Sequence, residues 1–248
     1  TQLFYRQAKG LTPTPSAEVL LRHARRVLRD LVEIESELGE HAKGLRGHVR
    51  VRSSVSSIVQ HLAQDLGRFL SLYPGVRIDL EEDTSCEIVQ AVAENAADVG
   101  IFGGNVPAPG LTLFPYHSDR LMALVPAGHP LSERTAIRFA DLLAHDLVGP
   151  KKGSSLDMLI ERAAAGIGHP LKLRLRVNGF ETVWAMVEAG LGIGLIPETS
   201  VARYVPSRRV TPVRLDESWA VREWKLCVRD AASLPPAAER LVAYLSQA

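Results

Sequence analysis

The chain has 248 residues, 46% hydrophobic and 23% charged, which is ordinary soluble globular composition and enough length for one large or two moderate cores. Its formal net charge of +1 is uneven: residues 1–52 carry ten Lys/Arg against six Asp/Glu, residues 53–248 nineteen against twenty-two. Only Cys86 and Cys227 are present, with no CxxC spacing, and no run reaches the roughly 18–20 apolar residues of a membrane span, so a disulfide framework, a structural zinc site and a membrane-spanning helix are not expected.

The basic front reads in two ways, as the neighbour of a polyanion or as chance asymmetry on a solvated helix. TQLFYRQAKG lacks the apolar region of a secretory signal, and the cysteine usage fits a reducing cytoplasm. The chain opens on Thr1 instead of Met, as a trimmed chain or a fragment would.

Thr14-Pro15 opens a helix: Thr14 can accept from the free N–H groups, and Pro15 at the first helical position has no N–H to leave unpaired. The pattern predicts a helix to about Ala42, before Gly44 and Gly47. Leu20, Ala24, Val27, Leu31, Ile34 and Leu38 recur at alternating steps of four and three, a heptad seam with charged residues largely on the other faces. Such a stripe can pack on its own domain; its length and narrowness favour pairing with a second copy.

From Gly47 strands and helices alternate. HVRVRSS, VRIDLEED and DVGIFG read as strands, IVQHLAQDLGRFLSLY and SCEIVQAVAENA as helices, a βαβαβ run that implies a parallel sheet. After LTLFPYHSDRLMALVPAGHP the alternation restarts with DLVGP, SSLDMLIERAAAG, LKLRLRV, FETVWAMVEAG and IGLIP. A strand around WKLCVRD and a final helix, PPAAERLVAYLSQA, close the chain. Two βα halves and a returning strand predict two lobes joined by crossing strands, with a cleft between them.

Catalytic and metal motifs are missing: there is no GxSxG elbow, HExxH pair, Walker loop or EF-hand loop, and the eight histidines are scattered. No enzyme chemistry, cofactor or metal is expected. Gly190, Gly192 and Gly194 follow a helix and enter a strand, the reverse of a dinucleotide fingerprint, and read as a helix end and tight turn. Glu81, Glu82 and Asp83 end a strand and read as solvated acids. What stands out is hydroxyl density where strands hand over to helices: Ser53, Ser54, Ser56 and Ser57; Thr84 and Ser85; Gly153, Ser154 and Ser155 beside Lys151 and Lys152. Any one is explained by N-capping; three in corresponding places point to a shared pocket for a carboxylate or other small anion.

Over nearly its whole length the chain resembles the LysR-type bacterial transcriptional regulators. LFYRQAKGLTPTPSAEVLL is similar to the end of that family's winged helix-turn-helix and the start of its linker helix. GHVRVRSS resembles the entry to its effector domain, and FLSLYPGVRIDLEEDTSCEIVQAVAENAADVGIF, LMALVPAGHPL and FETVWAMVEAGLGIGLIPE resemble later phrases in their usual order. Departures are Pro13 in the wing, Ala17 for a frequent glycine, and Asn95-Ala96 for a glycine-containing turn.

The resemblance implies an α/β, two-lobed, periplasmic-binding-protein-like (type 2) effector domain, preceded by a winged-helix remnant at 1–13 and a linker or dimerisation helix at 14–43. The effector domain would span 48–248, with lobe I at 48–125 and 223–248 and lobe II at 126–222. It implies a small effector held by Ser54, Ser56, Ser57, Thr84, Ser85 and Gly103 from lobe I and by Ser154, Phe180 and Ile196 from lobe II. It further implies assembly as a homodimer or homotetramer, and binding to double-stranded DNA through a recognition helix that the family carries upstream of the wing. Arg6 and Lys9 would touch only the DNA backbone. The competing expectation is a transporter's solute-binding protein that has lost its signal peptide, because the same fold serves both.

Overall fold

The computed structural model describes residues 1–7, 10–21, 23, 24, 27, 31, 45–204 and 209–247; the side chains of residues 7 and 202–204 stand outside that description. Of the residues singled out above, Lys9, Ile34, Leu38, and Ala42 and Gly44 at the expected helix end lie outside the described residues.

The front is an antiparallel hairpin of β1 (Phe4–Gln7) and β2 (Gly10–Pro13), with Phe4 opposite Pro13 and Arg6 opposite Leu11. Pro13 sits on the last rung of a two-stranded ribbon, where its missing N–H interrupts no interior ladder. Thr14 then starts a helix as its side chain predicts: Oγ1 accepts from Ala17 N at 3.2 Å, and its own proton goes to the Gln2 carbonyl at 2.9 Å, which ties the helix to the hairpin. Residues 15–21, 23, 24, 27 and 31 are helical.

Lobe I begins with β3 (Gly47–Ser53) and the helix α1 over residues 55–72, which includes a π-turn at Ile58–Leu62. It continues with β4 (Val76–Glu82), α2 (Ser85–Ala93) and β5 (Val99–Gly103). β3 pairs in parallel with both β4 and β5. All five residues of β5 are buried, which explains its unbroken apolar sequence: a strand covered on both faces has no polar side. On one face Leu62, Leu66 and Phe69 of α1 meet Val49, Val51, Val99 and Ile101; on the other, Ile88 and Val92 of α2 meet Phe102 and Cys227.

β6 (Thr112–Pro126) is one long strand serving both lobes. Its first part pairs with β12 as far as Arg120, opposite Val221; from Leu121, opposite Pro197, it pairs with β10 and β11. Lobe II then adds β7 (Ala136–Ile137), α3 (Phe139–Leu142), β8 (Leu147–Pro150), α4 (Ser155–Ile167), β9 (Leu173–Val177), α5 (Phe180–Glu188), β10 (Ile193–Pro197), α6 (Glu198–Tyr204) and β11 (Val210–Leu215). β12 (Val221–Val228) returns to lobe I, and α7 (Pro236–Leu245) packs there beside α1. The strand order is β4-β3-β5-β12-β6-β10-β8-β9, with β11 on β6 and β7 on β11. Lobe II also has a core on each face: Phe139, Leu142, Leu156 and Ile160 on one, Val183, Trp184 and Val187 on the other. The two lobes each bury their own cores and share two crossing strands.

Asn95 adopts φ 58°, the left-handed turn that the glycine-containing form would adopt freely and that asparagine tolerates. Gly190 ends α5 with φ 74°, as expected, but Gly194 plays a different part: a Cβ there would stand 2.4 Å from Val183 Cγ1, so glycine lets β10 lie against α5.

Candidate functional site

The sheet directions bring the lobes' functional ends together. Gly103 at the end of β5 pairs with Trp224 near the start of β12, and Pro197 at the end of β10 pairs with Leu121 at the handover in β6. Because β3 and β4 run parallel with β5, and β8 and β9 with β10, the C-terminal strand ends of both lobes border one seam. Asn105 Nδ2 donates across it to the Ser155 carbonyl at 3.1 Å, and Thr199 Oγ1 donates to Gln60 Oε1 at 3.2 Å. Met158 of α4 packs against the lobe I cluster around Phe102.

Beside these contacts lies a cavity of about 420 Å³, lined by Gly103, Gly104, Asn105, Ser155, Leu159, Trp219, Arg222 and Trp224 among others. It has walls from both lobes and a floor on the returning strand. A Cβ on Gly103 would fall 3.2 Å from Ser155 Cβ, so the glycine sets how closely β5 approaches the start of α4.

Most of the hydroxyls singled out from sequence are engaged locally. Ser54 Oγ caps α1 by accepting from Ser57 N at 3.4 Å, and Ser154 Oγ caps α4 by accepting from Asp157 N at 3.2 Å. Thr84 and Glu87 form a reciprocal capping box, and the hydrogen bonds from Thr84 hold the Glu87 carboxyl below its ordinary value. Ser85 is buried, and its Oγ accepts from Gly103 N at 3.3 Å, so it braces the cavity wall. Ser56 is half-buried; Ser57 is fully buried, and its Oγ has no partner among the described residues. Phe180 is half-buried between the two lobe II cores, and Ile196 is fully buried in one of them. Of the nine residues, Gly103 alone is in the cavity lining. Lys151 and Lys152 are exposed and are not in that lining, and the strand-end acids are partly paired, since Arg52 bridges Glu81 and Asp83.

Sequence reasoning missed Asn105, Leu159, Trp219, Arg222 and Trp224. The available signal was SWAVREW, two of the chain's three tryptophans flanking an arginine where the return strand begins. Arg222 and Asp119 face each other across β12 and β6 as a two-pronged ion pair, Nε to Oδ1 at 2.6 Å and Nη2 to Oδ2. The guanidinium lies 5.3 Å from the Trp224 ring centroid, and Trp224 Nε1 approaches Asp119 Oδ2 at 3.5 Å.

A second polar group sits alongside. Tyr116 Oη donates to Asp65 Oδ2 at 2.6 Å, His117 Nε2 lies 3.1 Å from the same oxygen, and His61 stacks on His117 at 4.1 Å between ring centroids. Burial first, then His117, push the His61 imidazole below its ordinary value, with Asp119 and Asp65 opposing and Arg222 reinforcing the shift. Burial and the bond to Asp65 raise the Tyr116 phenol, and burial pushes the Cys227 thiol up to about 12. Among the described residues no cluster of His, Cys, Asp or Glu could hold a metal ion, and no helix is long and apolar enough to cross a membrane.

Comparison with known proteins agrees with this architecture. The chain is 27% identical over 249 residues to the HTH-type transcriptional regulator CbbR of Rhodospirillum rubrum, covering 99% of this chain and 81% of that protein. Among solved structures it is similar to full-length CbnR complexed with its target DNA (TM-score 0.71, 20% identity, 95% of this chain and 81% of that one). It is also similar to the effector-binding domain of QuiR in complex with shikimate (TM-score 0.70, 17% identity, 82% and 96%). The LysR substrate binding domain profile matches residues 42–248, five-sixths of the length, so the chain belongs to the LysR family of transcriptional regulators.

Proposed function

We propose that a small molecule occupies the interlobe cavity and biases the lobe arrangement, and that a paired linker helix transmits the change to the DNA-binding end. The observation that carries this is the cavity itself: about 420 Å³, of metabolite size, walled by both lobes and floored by a strand that connects them. A ligand there touches both rigid bodies at once, so its affinity depends on how they are set, which is the condition for a population shift. The N-terminal end of α4 and the Arg222 guanidinium favour a carboxylate or other small anion, with Gly103 in the lining and Ser85 bracing it from behind. QuiR, with shikimate, and CbnR, with DNA, are relatives in which ligand and operator binding are seen. Arg6, exposed on β1, suits a phosphate contact, which positions a protein on DNA; base readout belongs to a helix in the major groove.

The cavity is tested with Leu159→Trp, which enlarges a half-buried lining side chain. In calorimetry against a library of small organic acids, a compound that binds the wild type is expected to bind this variant about tenfold or more weakly, roughly the loss of one favourable contact of 1.4 kcal/mol. Equal binding of every such compound would place the ligand elsewhere and refute the proposal.

The linker helix is proposed as the dimer seam because Leu20, Val27 and Leu31 are 50%, 58% and 54% exposed and Ala24 is exposed beside them. Burying such leucines against a second copy contributes about 1.5–3 kcal/mol per side chain. The variant Leu20→Lys/Leu31→Lys is expected to sediment as a smaller species than the wild-type homodimer or homotetramer at equal concentration. An unchanged sedimentation coefficient would remove the seam from the account.

A further inference from the structure

Three buried side-chain polar atoms have no partner among the described residues, Ser57 Oγ, Gln60 Nε2 and His61 Nε2. All three sit on or beside the π-turn of α1 at Ile58–Leu62, an irregularity often found at functional sites. The other end of the Gln60 amide is used: Oε1 accepts from Thr199 Oγ1 of lobe II at 3.2 Å, so the same turn carries a tie between the lobes. His61 is enclosed by rings and charges from three elements. His117 of β6 stacks on it with ring centroids 4.1 Å apart, and Tyr116 meets it edge-on at 6.4 Å. The titratable and charged groups facing it are Asp65 of α1, Tyr116, His117 and Asp119 of β6, and Arg222 of β12. Both acids are already engaged, Asp65 with Tyr116 and His117, Asp119 with Arg222. A charge on His117 therefore has Asp65 at 3.1 Å, whereas a proton at His61 Nε2 has no acceptor. His117 also lines a surface pocket of about 490 Å³ with Glu223, Trp224 and Lys225, which brings solvent to the far side of the stack.

We infer that His61 makes the lobe arrangement responsive to pH: its neutral ring holds the lobes as they stand, and its protonation parts them at the Gln60–Thr199 tie. The inference rests on the lobes moving relative to one another, as the cavity reading requires, with the proton as a second ligand of that equilibrium. A proton shifts the equilibrium only if it binds one arrangement better than the other. Burial first, then His117, hold the ring below its ordinary value in the present arrangement. With the seam parted, water reaches Nε2 and the ordinary value of about 6.5 returns. The lower value belongs to the present arrangement, so that arrangement is fully favoured above about pH 6.5 and loses ground as pH falls below it. A tenfold change in the lobe equilibrium corresponds to about one pH unit between the two values of the ring.

The test is methyl NMR of the full chain with carbon-13 in its methionine methyl groups. Met158 of α4 packs against the lobe I cluster around Phe102 and reports the seam, while Met186 lies in a lobe II core and serves as the control. Between about pH 7.5 and about pH 5.5, a window that brackets histidine titration, the Met158 resonance is expected to move with a midpoint below about 6.5 while that of Met186 stays. His61→Phe keeps a ring against His117 but takes up no proton, and the Met158 movement is expected to disappear. Should that variant not fold, His61→Gln, uncharged at every pH, is expected to show the same loss. A Met158 resonance that stays still in the wild type, or that moves equally in the folded variant, overturns the inference. The cavity reading is judged apart from it by the Leu159→Trp calorimetry at about pH 7.5, where the His61 ring is neutral. A compound that discriminates there leaves the cavity standing even if Met158 ignores pH.

Discussion

Asp119→Ala is expected to lower the unfolding free energy by about 3–5 kcal/mol, read from chemical denaturation. Asp119 is fully buried at its carboxylate, and its removal leaves the Arg222 guanidinium in the interior without a counter-charge. Breaking such a pair is far worse than never having had it, because a desolvated cation keeps its penalty and loses its compensation. The same reasoning predicts recovery. Asp119→Leu/Arg222→Met, which replaces both charges by apolar side chains of similar volume, should regain most of the lost stability. A single-variant loss below about 1 kcal/mol would mean that water reaches the guanidinium freely, contrary to its 8% exposure. The pair joins β6 and β12 two residues before Leu121, where β6 changes lobes, so it also secures the register of both crossing strands beside the cavity.

Phe102→Ala is expected to cost about 3–5 kcal/mol through lost burial and the space left behind. Phe102 is fully buried with Ile88, Val92, Ala97, Val106 and Cys227, and Met158 of the other lobe packs against this cluster. The void would open inside the cluster that β5 and β12 form with α2. The denaturation midpoint should fall with little change in slope, because the surface exposed on unfolding is nearly the same. A loss near 1 kcal/mol would indicate that α2 collapses into the space.

Much of the scaffold was legible because its signals are local. Leu62, Leu66 and Phe69 mark the buried stripe of α1 by spacing alone, VGIFG marks a strand covered on both sides, and Thr14, Thr84 and Ser154 stand where helices start. The same local chemistry also accounts for some of the site candidates. A serine before a helix satisfies that helix's own N–H groups first, so Ser54 and Ser154 are explained by capping before any ligand is considered.

β6 was harder. HSDR in its middle carries no alternating apolar pattern, and Pro115 lies just before it. Those polar residues are acceptable in a strand only because partners from elsewhere satisfy them: Arg222 for Asp119, and Asp65 for His117. Partners 103 and 52 positions away are invisible to any local window.

Periodicity and capping residues by themselves pointed to the alternating strands and helices from Gly47 onward and to two α/β lobes, but not to β6, β7 or β11. Tertiary structure alone decided that residues 103–105, 155, 159, 218, 219 and 221–224 meet around one cavity, and that Arg222 in its lining is paired with a buried aspartate. Helical and strand periods arise from neighbours a few residues apart, whereas a binding surface is made where distant strand ends converge, and that convergence is set by sheet register and lobe packing.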